Sequence, residues 1–384
     1  MGGPGATATA ARTLPLRQFI LKVHGRCNLA CDHCYVYTMA DQRWRGRPRA
    51  MSARTVERTA ARIAEHVRDH GVDAIEVVLH GGEPMLAGVE RLRHCVSAVR
   101  AAVGPGVRVG FAMQTNGTLL TDAALDALAA LGIRVSVSVD GDAQAHDRHR
   151  VGHDGRGSYA AVSAALRRLG SARHRAAYAG LLCTVDLAND PLRTYESLLA
   201  FDPPAVDFLL PHGNWTNPPP GRVPGDPRTP YADWLIPIFD RWYGAPETGV
   251  RLFEEIIAVA LGGRSRVEGV GLSPSRMVVV ETDGGIESSD MLTSSYEGAS
   301  ATGLHVDRDP FDRVPRPSPV VVPPTGCGGC PVRRLCGGGL RAHRYREGSG
   351  FDNPSAYCPD LFRLVGHIRD RVAADLAALA RGRG

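Results

Sequence analysis

The sequence predicts an α/β fold: a partial (β/α)6 barrel of TIM type, followed by a smaller, cysteine-bearing C-terminal module. Three observations predict it. From about Arg17 to Leu210, short β-rich runs alternate with helical segments rich in Ala, Arg and Leu, the signature of parallel strands joined by crossover helices. Six such units are too few to close an eight-stranded barrel, so the arc of strands is expected to stay open. Unusual polar motifs follow the strands directly, where parallel α/β folds build their sites.

The strands are expected at Gln18–Val23, Ala74–His80, Arg108–Thr115, Arg134–Asp140, Ala177–Thr184 and Val206–Leu210. Helices are expected at Ser52–Asp69, Val89–Val103, Asp122–Leu131, Ser158–Leu169 and Pro191–Phe201. "CNLACDHCYVY" follows the first strand, "HGGEP" the second, "QTNG" the third and "SVDG" the fourth. Past Pro211 the composition shifts, and "NPPPGRVPGDPRTP" (Asn217–Pro230) reads as a semi-rigid connector. Beyond it, helices are expected at Tyr231–Tyr243 and Arg251–Leu261, a hairpin from Met277–Glu281 through Gly284 and Gly285 to Ile286–Ser289, and a terminal helix at Pro359–Ala380. The expected organisation is a disordered N-terminus over 1–16, a core over 17–215, a bridging region over 216–276 and a C-terminal module over 277–384.

A chain of 384 residues that is 43% hydrophobic can bury a real core. The net charge of +5 is an arginine bias spread along the chain, with Lys22 as the only lysine, so no nucleic-acid partner is expected. The first sixteen residues hold no apolar signal-peptide core, and no apolar run approaches membrane-spanning length. A cytoplasmic protein with no membrane partner is expected. The nine cysteines are odd in number and clustered, which favours metal ligation over disulfides. Cys95 and Cys183 stand apart and are expected to be buried as small hydrophobes.

Cys27, Cys31 and Cys34 share the loop leaving the first strand. Three thiolates so spaced can each take one iron of a cubane cluster and leave the fourth iron open. On spacing alone they also allow a zinc site short of one ligand or a redox cluster. Gly81 and Gly82 let backbone groups approach a ligand closely, and Glu83 sets a carboxylate beside them. Ser138 and Asp140 can hold ribose or amino groups, and the planar fork of Arg150 suits a carboxylate. With these motifs in this order, the region from about Arg17 to Leu210 resembles the radical SAM superfamily. The resemblance implies a [4Fe-4S] cluster on Cys27, Cys31 and Cys34 that binds and reductively cleaves S-adenosylmethionine (SAM). It further implies SAM contacts at His33, Gly82, Glu83, Ser138, Asp140 and Arg150, with Asn116 and Leu209 on the ribose or adenine side. Taken singly, Asn116 also reads as a turn residue and Leu209 as core.

Cys327-x2-Cys330-x5-Cys336, with Cys358 beyond, would alone suit a zinc site. Downstream of such a core the spacing resembles the SPASM domain, which implies one auxiliary [4Fe-4S] cluster on Cys327, Cys330, Cys336 and Cys358. The family's remaining cysteine position holds Leu340, and "TDGGIESSD" puts Ser289 where another ligand would stand. Two clusters, not three, are therefore expected. Asp290 survives beside Ser289 and is the candidate base toward substrate; an exposed hairpin aspartate is the alternative reading.

More narrowly, "LHGGEPMLAG", "FLLPHGNW", "VVVETDGG" and the last cysteine segment look like the FxsB-type maturases, which join an aromatic ring carbon to a β-carbon in ribosomally made peptides. That implies a cyclophane-forming enzyme, a precursor peptide as substrate, and an external electron donor such as flavodoxin or ferredoxin. Two other enzyme readings are an ether or thioether crosslinker and a formylglycine-forming maturase of sulfatase type. A non-enzymatic iron–sulfur or zinc protein is the reading from a different class, and it leaves GGEP, SVDG and Arg150 without a shared purpose. Substrate capture is expected from the core, the Trp215–Tyr231 connector or another protein, with Phe208–Trp215 suited to peptide contact or to packing between modules.

Overall fold

The computed structural model describes residues 14–315 and 323–382; residues 1–13 of the expected disordered N-terminus lie outside them. Seven parallel strands follow one another in chain order: β1 (Gln18–His24), β2 (Ala74–Gly81), β3 (Arg108–Thr115), β4 (Ile133–Ser138), β5 (Tyr178–Thr184), β6 (Ala205–Leu209) and the two-residue β7 (Gly249–Val250). Between them run α1 (Ala53–His70), α2 (Val89–Val103), α3 (Asp122–Ala130), the short α4 (Ala143–Asp147), α5 (Tyr159–Leu169), α6 (Pro191–Leu199) and α7 (Pro230–Gly244). The chain continues through α8 (Arg251–Ala260), β8 (Met277–Val280), β9 (Gly285–Glu287), β10 (Ala301–His305), the one-turn α9 (Arg333–Cys336) and the long α10 (Cys358–Arg381).

Local chemistry sets the helix ends. Ser52 caps α1 by accepting from the Thr55 N–H at 3.0 Å, and Gly71 ends it in the left-handed region at φ 59. Thr121, Asp142 and Asp190 cap α3, α4 and α6 in the same way. Apolar residues on alternate strand positions then meet the helices: Phe19, Leu21 and Val23 of β1, Val77 and Leu79 of β2, and Val135 and Val137 of β4 are all buried.

The sheet order is β10-β9-β8-β1-β2-β3-β4-β5-β6-β7. The six expected strands form the sequential arc of an open barrel. The ends differ from expectation by one or two residues, and Asp140 lies just past β4, where its carboxylate can turn toward neighbouring loops. What the residue pattern missed is the second edge. β8 pairs parallel with β1, matching Gln18 with Met277 and Leu21 with Val280, so the hairpin of the C-terminal module extends the core sheet.

Side-chain hydrogen bonds tie residues 354–360 to the loop after β6 and to α7. The Tyr357 hydroxyl donates to the Pro211 carbonyl at 2.6 Å, the Trp215 indole N–H to Pro354 at 2.7 Å, and the backbone N–H of Tyr231 to Asp360 at 2.8 Å. Among the described residues, no helix is long and apolar enough to cross a membrane.

Candidate functional site

Cys27, Cys31 and Cys34 lie on the loop leaving β1, and none is in a disulfide. The loop is held from below: the Ala30 N–H donates to Val151 at 2.7 Å, and Leu29 bridges to Gly152. Cys27 Sγ accepts from the Leu29 N–H at 3.4 Å and from Asn116 Nδ2 at 3.5 Å. Burial pushes the Cys31 thiol up to about 12, against the pull of Arg150, and the Cys34 and Cys27 sulfurs raise it further. Sulfurs that raise the pKa of Cys31 repel it as thiolates until a cation takes up their charge, which is the chemistry of a metal-binding donor set.

At the end of β2 the chain passes tightly over this loop. A β-carbon on Gly81 would fall 2.1 Å from the His24 carbonyl oxygen, and one on Gly82 would fall 1.9 Å from the Tyr37 hydroxyl and 2.4 Å from the Arg26 carbonyl oxygen. Glu83 is fully buried, and its carboxylate accepts from the Thr115 hydroxyl at 2.7 Å, the Asn116 N–H at 2.8 Å and the Met85 N–H at 2.9 Å. Its role in this fold is thus to fasten the β2 loop to the β3 loop. Asn116 in turn spans Cys27 and Asn28, donating to the Asn28 side chain at 2.9 Å.

The remaining expected contacts gather beyond β4 and β5. Arg150 clasps Asp140 through Nε at 2.5 Å and through its terminal nitrogen at 3.2 Å, while Asp140 also accepts from the Thr184 N–H at 2.8 Å. Burial pushes Asp140 up, but the guanidinium outweighs it and holds the carboxylate below its ordinary range. His33 Nε2 stands 3.9 Å from Asp140, with its pKa lowered by burial and by Arg150. Ser138 accepts from Gln114 at 2.8 Å, and Leu209 is half-buried at the end of β6.

The second cysteine group converges from three places: a single turn at Thr325–Cys327, α9, and the start of α10. Cys327, Cys330, Cys336 and Cys358 line one pocket whose other walls include Val332, Leu361 and Phe362. Burial pushes the Cys336 thiol up to about 11, and the three other cysteines raise it further. Four sulfurs around one small cavity with apolar walls suit a closed cluster site.

Ser289 and Leu340 offer no thiolate. Ser289 is buried, and the hairpin around it is stitched by ion pairs instead: Arg47 to Glu281 at 3.0 Å and to Glu287 at 2.5 Å, and Arg43 to Glu287 at 2.9 Å and to Asp41 at 2.6 Å.

Asp290 faces into the core rather than out to solvent, contrary to the exposed-hairpin alternative. Its Oδ2 accepts from Lys22 Nζ at 2.6 Å and from the Tyr35 hydroxyl at 2.7 Å. Lys22, Tyr35, Trp44, Arg47, Gly82, Glu281 and Asp290 line a common pocket. Burial pushes Asp290 up, but Lys22 outweighs it and holds the carboxyl well below the usual range. Glu281, by contrast, is pushed up to about 7, chiefly by burial. Lys22, Tyr35, Arg47 and Glu281 are the site residues that sequence reasoning missed. A signal existed for one of them: a lone lysine among 45 basic residues, on a strand otherwise apolar, is out of character with the arginine bias.

Residues 21–183 match the family described as Radical SAM superfamily. The serine-type anaerobic sulfatase-maturating enzyme of Bacteroides thetaiotaomicron is 22% identical over 94% of this chain and 92% of its own length. The cysteine-type anaerobic sulfatase-maturating enzyme of Clostridium perfringens is 24% identical over 71% of this chain and 73% of its own. The solved structure of native anSMEcpe with bound AdoMet and Cp18Cys peptide superposes with a TM-score of 0.79, at 20% identity, over 95% of this chain and 100% of that one.

These findings overturn the expectation of a ring-to-β-carbon crosslinking enzyme, because matches over 94% and 71% of this chain run to sulfatase-maturating enzymes. The structure shows why one motif misled. Within "FLLPHGNW", Phe208 and Asn214 are buried and Trp215 is hydrogen-bonded to Pro354, so packing accounts for these three residues and they carry no information on bond type. Over residues 21–183 the strand order, the cysteine loop and the match to the radical SAM superfamily coincide.

Proposed function

We propose that the chain oxidises a side chain of a peptide substrate in the manner of formylglycine formation from serine or cysteine. The observation that carries this reading is the likeness to a serine-type sulfatase-maturating enzyme along 94% of this chain and 92% of that one. In this reading Cys27, Cys31 and Cys34 hold a [4Fe-4S] cluster that binds SAM, and Cys327, Cys330, Cys336 and Cys358 hold an auxiliary one. When bound and reduced, the SAM pair supplies a 5′-deoxyadenosyl radical that takes one hydrogen atom from the substrate β-carbon.

The residues of the chain then have separable tasks. The backbone at Gly82 and the side chains of His33, Ser138, Asp140 and Arg150 orient SAM, with Asn116 and Leu209 at its flanks and Glu83 bracing the loop. Arg150 keeps one face toward Asp140 and offers its remaining N–H groups to a carboxylate. Asp290, held ionised by Lys22, accepts the hydroxyl or thiol hydrogen of the substrate and so fixes which side chain is presented. Glu281, in the same cavity, is the carboxylate able to hold the released proton near neutrality. A cytoplasmic location, a flavodoxin- or ferredoxin-type electron donor and the domain division at about residues 215 and 277 belong to the same proposal.

The test is anaerobic incubation of reconstituted enzyme with SAM, a reductant and peptides carrying a central serine or cysteine. A serine peptide lighter by two hydrogens, with an aldehyde that hydrazines capture, is expected. Unmodified peptides alongside active SAM cleavage sink the proposal.

The pH profile supplies a further expectation. Because Glu281 must be ionised to take a proton, kcat/KM for peptide oxidation should rise with pH through about 7. Glu281→Gln should lower the rate and remove that rise, and a wild-type profile in this variant would clear Glu281 of the role.

A further inference from the structure

We propose that four aromatic side chains, Tyr35, His212, His343 and Tyr357, form an electron path between the two cysteine groups. The inference rests on reading those groups as cluster sites. Tyr35 directly follows Cys34, and Tyr357 directly precedes Cys358, so each end of the series is covalently joined to a cysteine of one group. Between them the rings follow in unbroken contact. Centroids lie 4.6 Å apart from Tyr35 to His212, 5.8 Å from His212 to His343, and 4.9 Å from His343 to Tyr357. The four come from separate stretches: the loop after β1, the loop after β6, the turn at Arg341–Arg344, and the residue before α10. Only the tertiary fold brings them into line.

Packing alone does not account for the two histidines. His212 Nδ1 and His343 Nε2 are buried without a hydrogen-bond partner among the described residues. A buried ring nitrogen left unpaired costs stability that an apolar side chain of similar size avoids. Burial pushes His212 down to about 4 and His343 well below the ordinary range, so both rings are uncharged at neutral pH. The end rings are fixed: Tyr35 donates to Asp290 at 2.7 Å and Tyr357 to Pro211 at 2.6 Å. The series is therefore neutral, aromatic, and locked at both ends.

Its use follows from the stoichiometry of the proposed oxidation. Once one hydrogen atom has left the substrate β-carbon, forming the C=O or C=S double bond requires loss of one electron from the carbon radical and one proton from the O–H or S–H. The proton goes to the carboxylates of the Asp290 cavity. The electron passes along the rings to a [4Fe-4S]2+ cluster on Cys327, Cys330, Cys336 and Cys358, which becomes [4Fe-4S]+ and is reoxidised by an external one-electron carrier of the flavodoxin or ferredoxin class. The rings act as a tunnelling medium, and none is left oxidised.

The experiment is single-turnover, rapid-freeze-quench electron paramagnetic resonance on reconstituted full-length enzyme with SAM and a reactive peptide. It follows the reduced auxiliary cluster while 5′-deoxyadenosine is measured in the same samples. His212→Leu should slow appearance of the auxiliary signal by about tenfold or more, while first-turnover 5′-deoxyadenosine is unchanged. His212→Phe, which keeps a ring, should restore it. If His212→Leu loses iron, His343→Leu and His343→Phe make the same comparison.

A leucine variant with full iron and a wild-type rate of auxiliary reduction overturns the path. So does a phenylalanine variant as slow as the leucine one, since the imidazole would then act as a polar contact. An enzyme that makes aldehyde without ever reducing the auxiliary cluster overturns it as well. An enzyme that makes no aldehyde with any peptide overturns instead the function on which the path rests.

Discussion

Replacing Cys27, Cys31 and Cys34 together by alanine is expected to abolish SAM cleavage and to cut reconstituted iron from about eight to about four atoms per chain. The three sulfurs sit on a single loop pinned to Val151 and Gly152, so their loss removes a donor set and leaves the surrounding backbone bonds in place. Replacing Cys330 and Cys358 should have the reciprocal result. The auxiliary iron is lost, while SAM cleavage without peptide survives, because these cysteines line a separate cavity with apolar walls. About twelve irons in the wild type would mean a third site. The hairpin that would carry it holds no cysteine, and has the Arg43, Arg47, Glu281 and Glu287 ion pairs and a buried serine instead. Iron and sulfide analysis alongside 5′-deoxyadenosine measurement decides the matter. Zinc in place of iron, or SAM cleavage persisting in the triple variant, would refute the assignment of the first group.

The fold of the core was legible because its signals are local. A strand such as Arg108–Thr115 and a helix such as Val89–Val103 lie where the residue pattern put them. The two cysteine groups could be picked out for the same reason, since their spacing is written along the chain. What was not legible depends on pairings across long sequence separations. β8 joins β1 across the whole core, and nothing in "MVVV" names its partner. Asp290 could be singled out beside Ser289, but not its inward orientation, which needs Lys22 and Tyr35 from the other end of the chain. Glu83 shows the converse: the motif was visible, yet its carboxylate is occupied by Thr115, Asn116 and Met85. The bond-forming chemistry was over-read because short apolar and aromatic motifs such as that of Phe208–Trp215 answer to packing before they answer to substrate.

Asp290→Ala is expected to destabilise the protein by about 3–5 kcal/mol and to uncouple SAM cleavage from peptide oxidation. The Lys22 and Asp290 side chains are only 5% and 9% exposed, so removing the carboxylate strands a buried ammonium. The sign of the pH dependence follows from the two shifts. Asp290 is held well below the ordinary carboxylate range, so its contribution is complete above about pH 4 and is lost as the pH falls toward its folded value. Lys22 is raised despite burial, chiefly by Asp290, so its contribution is complete at neutrality and is lost as the pH rises from the ordinary lysine value through its folded one. The pair therefore stabilises the fold across the neutral range, and the deficit of Asp290→Ala should shrink in acid. Lys22→Met combined with Asp290→Leu separates stability from chemistry. Two apolar side chains of similar volume remove both charges together and should recover most of the lost stability. Peptide oxidation should not return with it, because the group that fixes the substrate hydroxyl or thiol is still missing. Denaturant unfolding of the two variants, read beside aldehyde yield and 5′-deoxyadenosine, tests both halves. A single variant as stable as the wild type would show the ion pair to be idle, and a double variant that still oxidises peptide would remove Asp290 from the reaction.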